Sequence, residues 1–281
     1  MRPILLDLAL PGGLQLALPA YGTFLVLGVL AAAGVSGRHG RSLGLTRWDA
    51  FDLGLWLLAG GILGAHLLHV ALHPGFYFGD GMATGLGRAA SLWQGGLVYY
   101  GGLAAGVAVI WLWGRRRGLP FLDLLDFVAP LGALGLGVTR MGCFLNGCCF
   151  GVPSGVLWAV AYPPGSRPHQ GQVSAGLVGT GEAALPVHPV QLYELAVALA
   201  LFVWLWRRFP RRRWAGEVVV AFGLLYGAWR ILAELLRADS PGWRPGVFAP
   251  TPNQWLSLAV IAVAGLAGWA MRRAALSPPA S

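Results

Sequence analysis

Long apolar runs are the feature of this sequence that most restricts its fold. Each run approaches the ~20 residues that an α-helix needs to cross a bilayer. The predicted spans are residues 20–37, 48–72, 95–113, 121–139, 190–206, 216–237 and 252–271. Hydrophobic residues make up 56% of the chain and charged residues 11%, which excludes an ordinary soluble domain. The sequence therefore predicts an all-α polytopic membrane protein with about seven transmembrane helices, and residues 1–281 as a single integral membrane domain.

The basic residues predict the orientation of these spans. All of them are arginines, and most lie in clusters at residues 38–47, 115–117, 207–213 and 272–273. Cytoplasmic loops are enriched in such residues, so we expect an outside N-terminus and a cytoplasmic C-terminus. A net charge of +9 would suggest nucleic-acid binding in a soluble protein, but here the charge follows the topology. The expected partner is the lipid bilayer, and no nucleic acid is expected.

The segment between the fourth and fifth spans is the longest outward connection. Residues 140–189 contain "VPSG", "YPPGSRPHQGQ" and "GTGEAALP", a Gly, Pro and polar content that favours turns and short strands. We expect a small extracytoplasmic head inserted at 140–189. Shorter outward segments are expected at 74–93 and 238–251. The first apolar run could be a cleaved signal peptide, but its positive charges follow the run, so we expect it to be retained.

Ionisable residues inside the predicted spans indicate a functional site. Arg230, Glu234 and Arg237 end the sixth span at spacings that place them on one helix face. Arg140 ends the fourth span and should reach a similar depth. Guanidinium groups fork onto phosphate oxygens, so the convergence of these arginines predicts a site for a lipid phosphate, held in place by Glu234. The alternative is that the arginines only anchor their helices by snorkelling to the interface.

Two further motifs carry polar residues at the outer ends of spans. In "LWQGGLVYYGGLAAG", residues 92–106, paired glycines permit close approach and tyrosines suit the interface, although aromatic anchoring explains the tyrosines equally well. In "HPVQLYE", Glu194 lies in an apolar helix and needs a partner, for which Arg140 or another outer arginine is the candidate. His188 is either a proton acceptor or a helix cap. His66 and His69 are expected to be packing residues.

The three cysteines lie together at positions 143, 148 and 149, on the predicted outer side where thiols are exposed to oxidation. The spacing C-x4-C-C does not match a standard zinc site, so no metal is predicted. A disulfide or plain packing is favoured. A thiol nucleophile remains open, because Arg140 could lower the pKa of a nearby cysteine.

Taken in chain order, the motifs resemble those of the prolipoprotein diacylglyceryl transferases, bacterial inner-membrane enzymes of the lipoprotein pathway. The family typically has a Tyr near the start of the first span, then W-x-GG-L-x-x-(His or Tyr)-GGL, L-D-x-x-x-P, R-x-GNF-x-NGE-x-x-G, HP-x-QLYE and YG-x-x-R-x-x-x-E-x-x-R. In those places this sequence has Tyr21, "WQGGLVYYGGL", "FLDLLDFVAP", "RMGCFLNGCCFG", "HPVQLYE" and "YGAWRILAELLR". The resemblance covers nearly the whole chain.

This resemblance implies transfer of the diacylglyceryl group of phosphatidylglycerol to the lipobox cysteine of a preprolipoprotein signal peptide, with release of glycerol phosphate. It implies an inner-membrane protein with its active site towards the periplasm, and no cofactor. Arg140, Arg230 and Tyr100 are then the predicted catalytic residues. The predicted substrate-binding residues are Tyr21, Gly101, Gly102, Asn146, Gly151, His188, Gln191, Tyr193, Glu194, Tyr226, Glu234 and Arg237.

The sequence departs from the family pattern at two positions of the cysteine loop. Cys143 replaces the Asn of GNF, and Cys148 replaces the Glu of NGE. A divergent paralogue with another phospholipid donor or another thiol acceptor therefore stays open. So do a thiol oxidoreductase, although C-x-x-C is lacking, and a lipid-binding or transport protein without enzymatic activity.

Overall fold

The structure is a computed structural model that describes residues 2–9, 15–92, 95–239 and 250–276. Predicted features at Trp93 and in most of the segment 238–251 therefore lie outside the described residues. The elements are two strands, β1 (Ile4–Ala9) and β2 (Gln15–Pro19), and ten helices. The helices are α1 (Ala20–Gly40), α2 (Arg47–Leu72), α3 (Pro74–Phe78), α4 (Met82–Ala90), α5 (Tyr99–Arg116), α6 (Phe121–Asn146), α7 (Arg167–Ser174), α8 (Val190–Arg208), α9 (Glu217–Leu235) and α10 (Pro252–Leu276).

Six helical segments of the described chain have the length and composition to cross a membrane. They are Ala20–Leu43, Arg47–Leu72, Phe121–Asn146, Val190–Arg211, Glu217–Leu235 and Pro252–Ala275. This agrees with the predicted class, a mostly helical polytopic membrane protein. The third predicted span corresponds to α5, an 18-residue helix that is not among the six. The count of seven spans therefore stays a prediction.

The prediction did not include the strands β1 and β2 or the short helices α3, α4 and α7. Strands β1 and β2 pair antiparallel, with Asp7 opposite Ala17. The predicted outward segment 74–93 contains two short helices, α3 and α4. The first of these has Pro74 at its first position, where a missing N–H costs nothing.

The chain divides into two compact units, a first unit of residues 1–34 and 126–281 and a second unit of residues 35–125. In the second unit, α2 packs against α5 through glycine. A Cβ atom added at Gly101 would lie 2.2 Å from the carbonyl oxygen of Gly64, so the two backbones are in direct contact. Small residues permit this close approach of membrane helices. The two ring nitrogens of His66 lie 3.0 Å and 2.9 Å from the carbonyl oxygens of Gly96 and Ala89, so this side chain packs between α2 and the segment that precedes α5.

In the first unit, a buried carboxylate joins two helices. Asp126 of α6 accepts hydrogen bonds from the backbone N–H groups of Gly216, Val218 and Val219 at 2.8 to 2.9 Å. These are donors that the start of α9 leaves without helical partners. The starts of α6 and α9 are thereby fixed side by side, and α9 then runs towards the arginines of its last turns.

Candidate active site

The last turns of α6 and the loop after it position one arginine and three cysteines. Arg140 and Cys143 are three residues apart and so share a helix face. Gly147 ends the helix with a φ of 71°, a left-handed conformation that glycine adopts without strain. Cys149 also has a positive φ, of 61°. The turn brings Cys148 back towards the helix, and its N–H donates to the carbonyl of Cys143 at 3.2 Å.

Glu194 of α8 lies between two arginines. Its Oε2 is 2.6 Å from Nε of Arg140, and its Oε1 is 3.2 Å from Nη1 of Arg230. The Glu194 side chain is fully buried, whereas each arginine side chain keeps 14% of its surface exposed. One carboxylate thus fixes guanidinium groups from α6 and α9, and both arginine side chains retain some exposed surface.

Arg230 is also held from its own helix. Its Nη2 is 2.7 Å from Oε2 of Glu234, one turn further along α9. The other oxygen of Glu234 accepts hydrogen bonds from the Thr251 hydroxyl at 2.9 Å and from the Asn253 amide at 3.1 Å. The start of α10 therefore orients Glu234, which in turn orients Arg230.

Arg237 lies beyond the end of α9 and has a different partner. It forms a bidentate pair with Asp239, through Nε and Nη2 at 3.0 Å each. Asp239 also accepts from the backbone N–H of Cys149 at 2.9 Å. Burial raises the pKa of the Asp239 carboxyl, although the Arg237 guanidinium opposes that shift. Arg237 is thereby linked to the cysteine loop, whereas Arg140 and Arg230 share Glu194.

The cysteine loop is attached to the segments around it by backbone pairing. Gly151 forms an antiparallel bridge with Arg237, and its N–H donates to the carbonyl of His188 at 3.1 Å. Gln191 donates to the carbonyl of Cys148 at 2.7 Å and to the Tyr162 hydroxyl at 3.3 Å. These contacts bring the predicted residues Gly151, His188, Gln191 and Arg237 together in the first unit.

His188 and Tyr193 form a second polar group near the start of α8. Nδ1 of His188 lies 3.1 Å from the Tyr193 hydroxyl, which also accepts a 2.6 Å hydrogen bond from Nε1 of Trp158. Trp158 is 60% exposed. His188 therefore has a phenol as a partner and does not cap α8 through its side chain.

The three cysteines are free thiols, and their sulfur atoms all lie within 4.8 Å of one another. Nη1 of Arg140 is 3.4 Å from the sulfur of Cys149 and 3.8 Å from that of Cys143. The Asn146 amide donates to the sulfur of Cys148 at 3.4 Å. Hydrogen bonds from the Cys143 and Cys149 thiols, and then from Asn146, lower the pKa of Cys148. The Cys148 thiol therefore ionises more readily than an ordinary cysteine.

Two further predicted tyrosines, on α1 and α9, also belong to the first unit. Tyr21, in the first turn of α1, is 44% exposed and adjoins Gly142 of α6. It lies within electrostatic range of Arg140 and Cys143. Tyr226 of α9 stacks on Phe222 and also interacts electrostatically with Arg140.

The predicted residues Tyr100, Gly101 and Gly102 lie in the second unit, at the start of α5. Both glycines pack against α2, which gives them a structural use in addition to the ligand approach predicted from sequence. Tyr100 is 36% exposed, and its ring contacts that of Tyr99 edge-on.

Sequence reasoning assigned no role to Asp239, Thr251 or Asn253. Asp239 could have been noticed because it follows Arg237 by two residues in "RAD", a spacing that permits a local ion pair. Thr251 and Asn253 open an apolar helix with polar side chains, a signal too common to assign a site.

The chain is similar to known proteins over nearly its whole length. A sequence model described as "Prolipoprotein diacylglyceryl transferase" matches residues 9–271. A Bordetella avium protein named phosphatidylglycerol-prolipoprotein diacylglyceryl transferase is 36% identical over 225 residues, which cover 79% of this chain and 76% of that protein. Proteins of the same name from Pseudomonas fluorescens and Pseudomonas paraeruginosa are 34% and 32% identical, and each match covers about nine-tenths of both chains.

Proposed function

Since the chain belongs to the prolipoprotein diacylglyceryl transferase family, we propose that it moves the diacylglyceryl group of phosphatidylglycerol onto the thiol of a lipobox cysteine. The names of its relatives support both substrates. The reaction forms a thioether and releases glycerol phosphate. It is the first lipid attachment in the maturation of a bacterial preprolipoprotein.

The observation that carries this proposal is the shared pairing of Arg140 and Arg230 with Glu194. Each guanidinium has five N–H donors. The carboxylates of the described residues engage only some of these donors. Arg140 uses Nε and Arg230 uses both Nη atoms for these pairs. Nη1 of Arg140 also contacts the sulfurs of Cys149 and Cys143, and the other donors can bind the phosphate of a lipid head group.

This arrangement suits the charge that develops in the reaction. As the acceptor sulfur bonds to the glyceryl carbon, the bond from that carbon to the phosphate oxygen breaks. Its electron pair leaves with glycerol phosphate, so negative charge grows on the leaving group. Donors that Glu194 and Glu234 already hold in place stabilise that charge without reorganising. Arg140 and Arg230 are the proposed catalytic residues.

The remaining assignments follow from position or from motif. Asn146 and Gly151 of the cysteine loop, with Arg237, are proposed to shape the head-group site. His188, Gln191 and Tyr193 are proposed to line it from the start of α8, and Tyr21 and Tyr226 from α1 and α9. The assignment of Tyr100, Gly101 and Gly102 to substrate positioning rests on the sequence motif alone.

The topology proposed for this function has seven spans, with α5 as the span beyond the six long apolar helices. The N-terminus is outside and the C-terminus is in the cytoplasm, in accordance with the arginine clusters. Residues 140–189 then form the extracytoplasmic head, and the arginine site faces the periplasmic side of the bacterial inner membrane. That side is where a secreted preprolipoprotein presents its lipobox.

The direct test is an intact-mass assay with purified protein, phosphatidylglycerol vesicles and a synthetic lipobox peptide. A diacylglyceryl mass gain on the peptide cysteine is expected, and it should be lost in Arg140→Ala and in Arg230→Ala. Arg208→Ala is the matched control, because it also removes an arginine paired with a glutamate in the first unit, Glu217. Transfer by both site variants at the wild-type rate would overturn the assignment of the phosphate site. Absence of any mass gain with folded, lipid-binding protein would overturn the transferase function.

A further inference from the structure

The three cysteines at and after the end of α6 also have the arrangement of a set of metal ligands. Three sulfur atoms lie within 4.8 Å of one another, contributed by the end of α6 and by the turn that follows it. A tetrahedral zinc site has zinc–sulfur bonds of ~2.3 Å, which place its sulfurs about 3.8 Å apart. Movements of about 1 Å or less would bring these thiols to that geometry.

The surroundings provide what a thiolate site needs. Each sulfur has an N–H donor at hand: Asn146 for Cys148, and Arg140 for Cys149 and Cys143. Such outer donors orient and stabilise metal-bound ligands. Zinc with three thiolates carries one net negative charge, and the Arg140 guanidinium beside it balances that charge.

The number of ligands indicates what kind of site this is. Structural zinc sites use four protein ligands, whereas catalytic sites use three and bind water or substrate at the fourth position. Among the residues that the structure describes, the cluster contributes three ligands of the His, Cys, Asp and Glu types. The proposed acceptor substrate is itself a thiol, which is the kind of fourth ligand that zinc prefers beside three sulfurs.

We propose that Cys143, Cys148 and Cys149 bind a zinc ion whose fourth position takes the thiol of the acceptor cysteine and activates it as a thiolate. This deepens the proposed function and rests on it. On binding zinc, the acceptor thiol releases its proton to water, because metal-bound thiols are deprotonated. No residue of the chain then has to act as the general base.

The transfer step balances without any oxidant or reductant. A sulfur electron pair of the zinc-bound acceptor attacks the glyceryl carbon that carries the phosphate, and the carbon–oxygen bond breaks. That bond's electrons leave with glycerol phosphate, for which Arg140 supplies donors next to the cluster. The product is a neutral thioether, a weaker zinc ligand than a thiolate, so it can dissociate. Two of the three ligands are the positions at which this sequence departs from the family pattern.

The experiment uses the purified full-length protein in detergent, stripped of metal and loaded with Co²⁺ as a spectroscopic substitute for zinc. An intense visible absorption band and a sulfur-to-cobalt charge-transfer band are expected at one equivalent of cobalt. A lipobox peptide with its cysteine should shift and strengthen both bands by adding a fourth sulfur. The same peptide with serine in place of cysteine should change neither. A colourless complex, or a spectrum that the cysteine peptide leaves unchanged, would overturn the proposal.

A paired transfer assay separates this inference from the proposed function. The double variant Cys143→Asn/Cys148→Glu restores the family pattern and removes two ligands, so it should neither bind cobalt nor respond to chelator. Chelation should lower wild-type transfer at least about tenfold, and zinc should restore it. Full wild-type transfer by metal-free protein would overturn the zinc site and keep the transferase. A peptide-sensitive cobalt spectrum without transfer at any zinc level would overturn the transferase and keep the thiol-binding metal site.

Discussion

Asp126 and Glu194 are both buried carboxylates of the first unit, with 0% and 1% of their surface exposed. The chain uses them in different ways. Asp126 accepts from three backbone N–H groups at the start of α9 and pairs with Nε of Arg212 at 3.4 Å. Glu194 pairs with the side chains of Arg140 and Arg230.

The difference distinguishes a carboxylate of the fold from one of the site. Backbone donors at a helix start are fixed by the helix itself, so the carboxylate that satisfies them stabilises the folded chain. Guanidinium groups have more donors than one carboxylate can engage, so Glu194 orients them and leaves others available. A buried ion pair adds little to stability in general, which makes orientation the more fitting use of Glu194.

The largest effect, on the free energy of unfolding, is expected when the carboxylate of Asp126 is removed. Asp126→Ala leaves three buried N–H groups and Arg212 without this partner, and should lower the free energy of unfolding by about 3–5 kcal/mol. Thermal unfolding in detergent measures this, with Asp80→Ala as the control because its pair with Arg88 is exposed. The specific activity of the remaining folded Asp126→Ala protein should be unchanged. If Asp126→Ala unfolds at the same temperature as the wild type, Asp126 does not stabilise the fold.

A large effect on turnover is expected when the planar guanidinium group of Arg140 is replaced by another cation. Arg140→Lys retains the cation but loses the planar pair of donors, so transfer should slow about 10²-fold or more. Unfolding should move by no more than about 1 kcal/mol, since Glu194 keeps Arg230. Initial rates of peptide lipidation measure the loss, with Arg208→Lys as the matched control. An unchanged rate would mean that charge alone suffices at this position.

A smaller effect is expected at the carboxylate that supports Arg230. Glu234→Gln keeps an oxygen that can accept from Thr251 and Asn253, but it loses the charge that holds Arg230. The loss of one charged contact should slow transfer about tenfold. Rates and unfolding are measured together. If Glu234→Gln is instead destabilised as much as Asp126→Ala and the folded variant keeps the wild-type transfer rate, Glu234 stabilises the fold and does not support the site.

The smallest effect is expected at the hydroxyl of Tyr162, which lies beside the buried Gln191. Tyr162→Phe removes one neutral hydrogen bond and should cost about 0.5–1.5 kcal/mol. Burial raises the pKa of Tyr162 to about 12. The phenol therefore stays protonated in the folded and unfolded chain below about pH 9, and the loss should be constant from about pH 6 to 9. Unfolding curves across that range measure it, and a loss that varies with pH would contradict a neutral phenol.

Much of the fold could be predicted from local sequence properties. Six of the predicted apolar runs correspond to helices that are long and apolar enough to cross a membrane, because length and hydropathy are properties of the segment itself. The pairing of β1 with β2 was not predicted, since both strands are nearly continuous apolar runs beside the first span and have no polar and apolar alternation. The helices α3 and α4 were missed because a short segment rich in Gly and Pro is typical of a loop.

The residues of the site were predictable, but only some of their pairings were. Arg140, Glu194, Arg230 and Glu234 could be selected because charged side chains are costly in apolar helices. The pairing of Glu194 with Arg140 was expected as well, but its sharing with Arg230 was not, since several carboxylates lie at similar depth. Arg237 could have paired with Glu234, three residues away, but it pairs with Asp239, because α9 ends at Leu235 and the chain turns there.

The sequence by itself determined the class of protein, the family and the positions of the buried charges. Each of these depends on which residues occur in a segment and in what order the segments follow, and not on how the segments pack. Only the tertiary structure decided that Glu194 is shared by arginines from two other helices. It alone brought three sulfur atoms together from a spacing that predicted no metal site. The physical reason is that such convergence depends on where a helix ends and how the chain turns, here at Gly147 with its positive φ. Spacing along the chain does not contain that geometry.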